Sequence, residues 1–164
     1  MLMMPAIIAA VLGVGGPAVA PAALEIHASL SGYNLLWPTP RCCAFALRLN
    51  AGGELTITLE REEGPSISSS RLSADDVASL RRVLEQARFF RLPSAVGSMP
   101  IDGDEHRMQV RLGNKSHAVT LYDWPDNWND APYLSKQELE CTRRAHAVWS
   151  ALRALVKDPR ATVP

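Results

Sequence analysis

The sequence predicts an α+β fold, an antiparallel sheet of two hairpins plus a short edge strand, covered on one face by two helices. The order is β-β-(β)-α-β-β-α. Three observations predict it. Residues 43–60 alternate apolar and polar side chains on either side of a glycine loop, the period of half-buried strands. Residues 107–122 repeat that alternation around Gly113-Asn114. Two further segments each open with a serine followed three positions later by an acidic residue, then carry apolar residues at helical spacing, a helix-start signature.

In the first hairpin Cys43, Phe45, Leu47 and Leu49 fall on one side, and Ala44, Ala46, Arg48 and Asn50 on the other. Leu55, Ile57 and Leu59 continue the apolar set after the loop Ala51-Gly52-Gly53, where glycine accommodates positive φ. Pairing Asn50 with Glu54 sets Leu49 against Leu55, Leu47 against Ile57 and Phe45 against Leu59. A one-residue slip would put the two apolar sets on opposite faces, so the pattern specifies this register. Residues 62–65 then turn the chain, and the serine-rich stretch 66–72 suits a strand at a sheet edge.

Ser73 is the predicted N-cap of the first helix, with Asp76 in capping-box position and Val77, Leu80, Leu84 and Ala87 as its apolar stripe. Leu92-Pro93 ends it near Phe89-Phe90. Arg81, Arg82 and Arg88 fall largely off the stripe, as a solvated face does. Residues 93–105, rich in proline, glycine, serine and aspartate, read as a loop.

The second hairpin pairs Leu112 with Lys115, Val110 with His117 and Met108 with Val119. That register turns Met108, Val110, Leu112, Val119 and Leu121 inward and leaves Arg107, Gln109 and Arg111 in water. Ser135 and Glu138 form the second capping box and open the longest helix, to about Val156. Leu139, Ala145, Val148, Trp149, Leu152, Leu155 and Val156 supply its apolar side.

The domain reading follows from these elements. Residues 1–22 read as a signal peptide, 23–41 as an irregular amino-terminal segment, 42–157 as one α+β domain and 158–164 as a tail. Residues 1–24 contain no charged side chain, and the apolar run resembles the centre of a secretory signal. Ala20-Pro21-Ala22 places cleavage before Ala23 and avoids proline at the first mature position. The run is short for a span of about 20 residues and is broken by Gly13, Gly15, Gly16 and Pro17. The expectation is an exported protein, periplasmic or secreted, with no stable membrane span after cleavage.

Three cysteines, Cys42, Cys43 and Cys141, leave one thiol over in an oxidising compartment. Adjacent cysteines rarely bridge each other, so the expected disulfide joins Cys141 to Cys42 or Cys43; three unpaired thiols are the alternative.

Seventeen basic residues balance seventeen acidic ones, so no basic surface for nucleic acid is implied by composition. His27, His106, His117 and His146 show no metal-ligand spacing, and no nucleophile elbow, phosphate loop or dinucleotide fingerprint occurs. No catalytic, metal or cofactor residues are assigned, and no cofactor is expected. The unusual stretch is 122–133. There Asp123, Asp126 and Asp130 lie among Trp124, Trp128 and Tyr133. Aromatic rings beside carboxylates and amides suit a sugar face or a protein interface, whereas tryptophans closing one end of the core would need no ligand. Trp128, between Asn127 and Asn129, is the expected anchor.

The run C-C-A-F-A-L-R-L-N-A-G-G-E-L at residues 42–55 resembles the opening of a family of uncharacterised bacterial exported, lipoprotein-like domains. In that family a cysteine-proline-x-tyrosine segment leads into a strand and an aspartate-glycine turn. Cys42, Phe45, Leu47, Leu49 and Gly53 fall on equivalent positions, and the likeness continues through Phe89-Phe90, Leu92 and Pro100-Ile101-Asp102, spanning residues 42–121. Cys43 stands where the family has proline, Phe45 where it has tyrosine and Gly52 where it has aspartate. The resemblance implies export and fold, and no activity. The function expected is a non-catalytic binding or interaction module of the bacterial envelope, with a protein or glycan partner. The alternatives are a structural or assembly component of the envelope and, more distantly, a glycan-binding or hydrolytic enzyme.

Overall fold

A computed structural model describes residues 22–32, 45–60, 64–97, 104–122 and 134–156. Among the described residues seven strands form one sheet in the order β4-β3-β2-β1-β6-β7-β5, antiparallel except where β5 runs parallel to β7. In chain order these are β1 (Leu24–Gly32), β2 (Phe45–Leu49), β3 (Glu54–Leu59) and β4 (Ser66–Arg71), then helix α1 (Ala74–Gln86) and a short 3-10 turn (Phe89–Arg91). They are followed by β5 (Ala95–Val96), β6 (Asp104–Leu112), β7 (Lys115–Tyr122) and helix α2 (Lys136–Arg153). Both helices lie on one side of the sheet, the α+β arrangement the sequence predicts.

Both hairpins have the expected registers. Leu47 faces Ile57 and Phe45 faces Leu59, while Val110 faces His117 and Met108 faces Val119. The first loop closes through Asn50 N donating to the Glu54 carbonyl at 3.0 Å, with Gly53 at φ +81°. β4 lies at the sheet edge and pairs residue for residue with β3. Both capping boxes form: Ser73 Oγ accepts from Asp76 N and Ser135 Oγ from Glu138 N, and each acidic side chain accepts from the cap's own N–H.

Two expectations change. The segment 23–41 is not irregular throughout, because Leu24–Gly32 is the central strand β1. β1 pairs with β2 on one side and β6 on the other, setting Ile26 between Leu49 and Val110, and so joins the two hairpins into one sheet. Its alternation is regular, with Leu24, Ile26 and Ala28 buried and Glu25, His27 and Ser29 on the opposite face. The second change is β5, a two-residue strand inside the expected 93–105 loop, which sits beside Thr120 and Leu121. Cys141 is buried on α2 and packs among the apolar residues of the core; its expected bridge partners, Cys42 and Cys43, lie outside the described residues.

The core lies between the sheet and the helices. Leu80 and Leu84 of α1 and Ala145, Val148, Trp149 and Leu152 of α2 cover Ile26, Leu47, Leu55, Val110 and Leu121. The Trp149 ring stacks on Phe45 with centroids 5.3 Å apart and takes the buried His106 imidazole edge-on at 4.5 Å.

Candidate binding face on the open side of the sheet

The helix-free face of the sheet is polar, and its side-chain order follows from strand register. One row runs Thr58, Ala46, Ser29, Arg107 and Thr120 across β3, β2, β1, β6 and β7. The next runs Thr56, Arg48, His27, Gln109 and Ala118. Small residues (Ala46, Ser29, Ala118) fall among larger ones, and the surface encloses a groove of about 600 Å³. Among the described residues its lining contains Arg48, Arg107 and His27 and no carboxylate.

Acids stand in the neighbouring rows, Glu105 beyond the Arg107 row and Glu25 beyond the His27 row. Glu105 accepts from Arg107 Nε at 2.7 Å, and Glu25 forms a two-point pair with the Arg111 guanidinium. Arg111 holds the Glu25 carboxyl below its ordinary range, and the positive charges of His27 and Arg48 add to that pull. Arg48 makes no ion pair among the described residues and stands directly across from His27. Two potential cations side by side repel in a sheet, and an anion between them would relieve that repulsion.

A second recess, of about 370 Å³, lies under the first turn of α1 and is lined by Leu24, Leu49, Leu72 and Val77. Among the described residues Arg81 is the one charged member of its lining, and it donates to the Ala22 carbonyl.

The sequence-predicted surface of Asp123, Trp124, Asp126, Trp128, Asp130 and Tyr133 lies outside the described residues. Trp149 is in the core at 2% exposure. The histidines serve separate settings. His27 is on the open face, His106 is buried against Trp149, and His117 Nε2 lies 2.8 Å from the Leu92 carbonyl. His146 lies on α2 with Nδ1 3.4 Å from Ser150 Oγ. Among the described residues no three histidine, cysteine, aspartate or glutamate side chains gather as metal ligands, and no helix is long and apolar enough to cross a membrane. Sequence reasoning places Arg107, Gln109 and Arg111 in solvent but misses His27 and therefore the groove. The signal that finds them is the alternation of residues 24–30.

No family model matches the chain, and no curated protein matches it.

Proposed function

We propose that this chain is an exported, non-catalytic binding module whose open sheet face takes an anionic segment of a protein or an acidic glycan. One observation carries the reading: among the described residues the groove is lined by two arginines and a histidine with no carboxylate. Guanidinium groups pair with carboxylates and sulfates through fixed, fork-shaped donors. Thr56, Thr58, Thr120 and Gln109 in the same lining add neutral donors and acceptors. The charge-free run over residues 1–24 supports export, and cleavage before Ala23 leaves β1 whole.

The test is a titration of isotopically labelled chain with hexaglutamate and, separately, with a sulfated oligosaccharide, followed through backbone amide shifts. Shifts concentrated on His27, Arg48, Arg107 and Gln109 are expected, and they should vanish with added salt. No response to either polyanion, or shifts centred elsewhere, contradicts the reading. The aspartate- and tryptophan-rich stretch 123–133 is the second reading, and there Trp128→Ala weakens binding while leaving the melting temperature unchanged.

A further inference from the structure

The two ends of the sheet are finished differently. At one end β5 is only two residues long, the kind of abbreviated edge that discourages further pairing. At the other, β4 is a regular six-residue strand with every side chain exposed. It contains no proline, and its first five residues, Ser66 to Ser70, carry no charge. Ile67, at 68% exposure, is the exposed large hydrophobic residue among the described ones.

The direction of the free backbone groups follows from the ladder. Leu72 N donates to the Gly53 carbonyl at 2.9 Å, so Leu72 points toward β3. Alternate residues of an antiparallel strand point opposite ways. Ser66, Ser68 and Ser70 therefore bond to β3, while Ile67, Ser69 and Arg71 present N–H and C=O at the open edge. The hairpin agrees: Asn50 N donates to the Glu54 carbonyl, which turns Glu54, Thr56 and Thr58 toward β2 and their neighbours toward β4.

We infer that β4 pairs antiparallel with β4 of a second copy of this chain, about a two-fold axis at Ser69. This register places Ser69 opposite the partner's Ser69 and Ile67 opposite the partner's Arg71. All three outward N–H groups and all three outward carbonyls of each copy are then paired. Ile67 lies on the open face, since it pairs with Thr58, and the apolar stem of the partner's Arg71 covers it. On the other face Ser68 meets the partner's Ser70, so no like charges oppose. Centring on Ser68 instead sets Arg71 opposite the partner's Pro65, which has no N–H to give. The contact is an isologous one, small in area, and so forms a weak, concentration-dependent dimer.

Sedimentation equilibrium of the purified full chain, up to millimolar concentration, tests this. The expected result is a reversible dimer that Ser69→Pro and Ile67→Lys each return to monomer. Ser69→Pro should melt like the wild type, because the N–H it removes points away from β3. In addition, Ser69→Cys should cross-link under mild oxidation and Thr58→Cys should not, since a hydrogen-bonded pair sits about 5.5 Å apart between Cα atoms, within disulfide reach. A wild-type chain that stays monomeric, a dimer that survives Ile67→Lys, or a Ser69→Pro chain that melts far lower overturns the inference.

Discussion

Leu47 and Thr58 lie on adjacent strands and face opposite ways. Leu47 is 2% exposed beneath the helices, whereas Thr58 lines the groove on the open face. Truncating a buried leucine to alanine costs about 2–5 kcal/mol, from lost transfer energy and the cavity left behind. Leu47→Ala should therefore lose stability on that scale in chemical denaturation, and Thr58→Ala far less. Equal losses would contradict the register or the face assignment. Glu25 supplies a pH-dependent case. Its carboxyl titrates below the ordinary range because Arg111 donates to it. A lowered folded-state value means that the ionised form is favoured in the native chain. That contribution is fully present above the ordinary glutamate value of about 4.3 and is lost as pH falls through the lowered one. The stability gap between wild type and Glu25→Gln should accordingly close on acidification. A gap that widens in acid would contradict the pairing.

At the scale of elements, the sequence was most legible where two independent signals agreed. Each hairpin combined strict alternation with a glycine turn, and each helix combined a serine cap with an acidic partner and an apolar stripe. Those elements and their registers appear as expected. β1 has alternation but no turn of its own, because its partners are distant in sequence, and Pro38 and Pro40 a few residues on give the stretch the look of a connector. β5 is too short to show any period, and its two residues are ordered by pairing with Thr120 and Leu121. The site is harder to read because its rows combine residues from five strands, and the strand carrying His27 pairs only with strands distant in sequence. Gly97 offers a sharp test of β5. It sits at φ +89°, and a Cβ added there would come within 2.4 Å of the Tyr122 carbonyl oxygen. Gly97→Ala should lower the melting temperature and perturb amides of β7 around Tyr122, whereas Gly64→Ala, at φ +111° in open space, should meet conformational strain without a clash and leave β7 amides alone. Equal perturbation of β7 by both would rule out the close approach.

For the whole molecule, the division of labour is between the two faces of one sheet. The helix-covered face holds the apolar core, including the stacked Phe45 and Trp149. The other face keeps Arg48, His27, Arg107 and Gln109 in a groove that packing does not require. If cleavage falls before Ala23, the mature chain loses the Arg81 bond to the Ala22 carbonyl but keeps the Gly113 N–H bond to the Ala23 carbonyl. Intact mass of protein from an extracytoplasmic fraction should then correspond to a chain starting at Ala23, and a retained Met1 leader would contradict export with cleavage. The groove itself is tested most directly by calorimetric titration of hexaglutamate into wild-type chain and into the Arg48→Ala/Arg107→Ala double variant, with melting curves of both. The account predicts binding to the wild type, at least about tenfold weaker binding to the double variant, a difference of about 1.4 kcal/mol, and closely similar melting temperatures. Equal affinity for the two proteins, or no binding to the wild type, would contradict it.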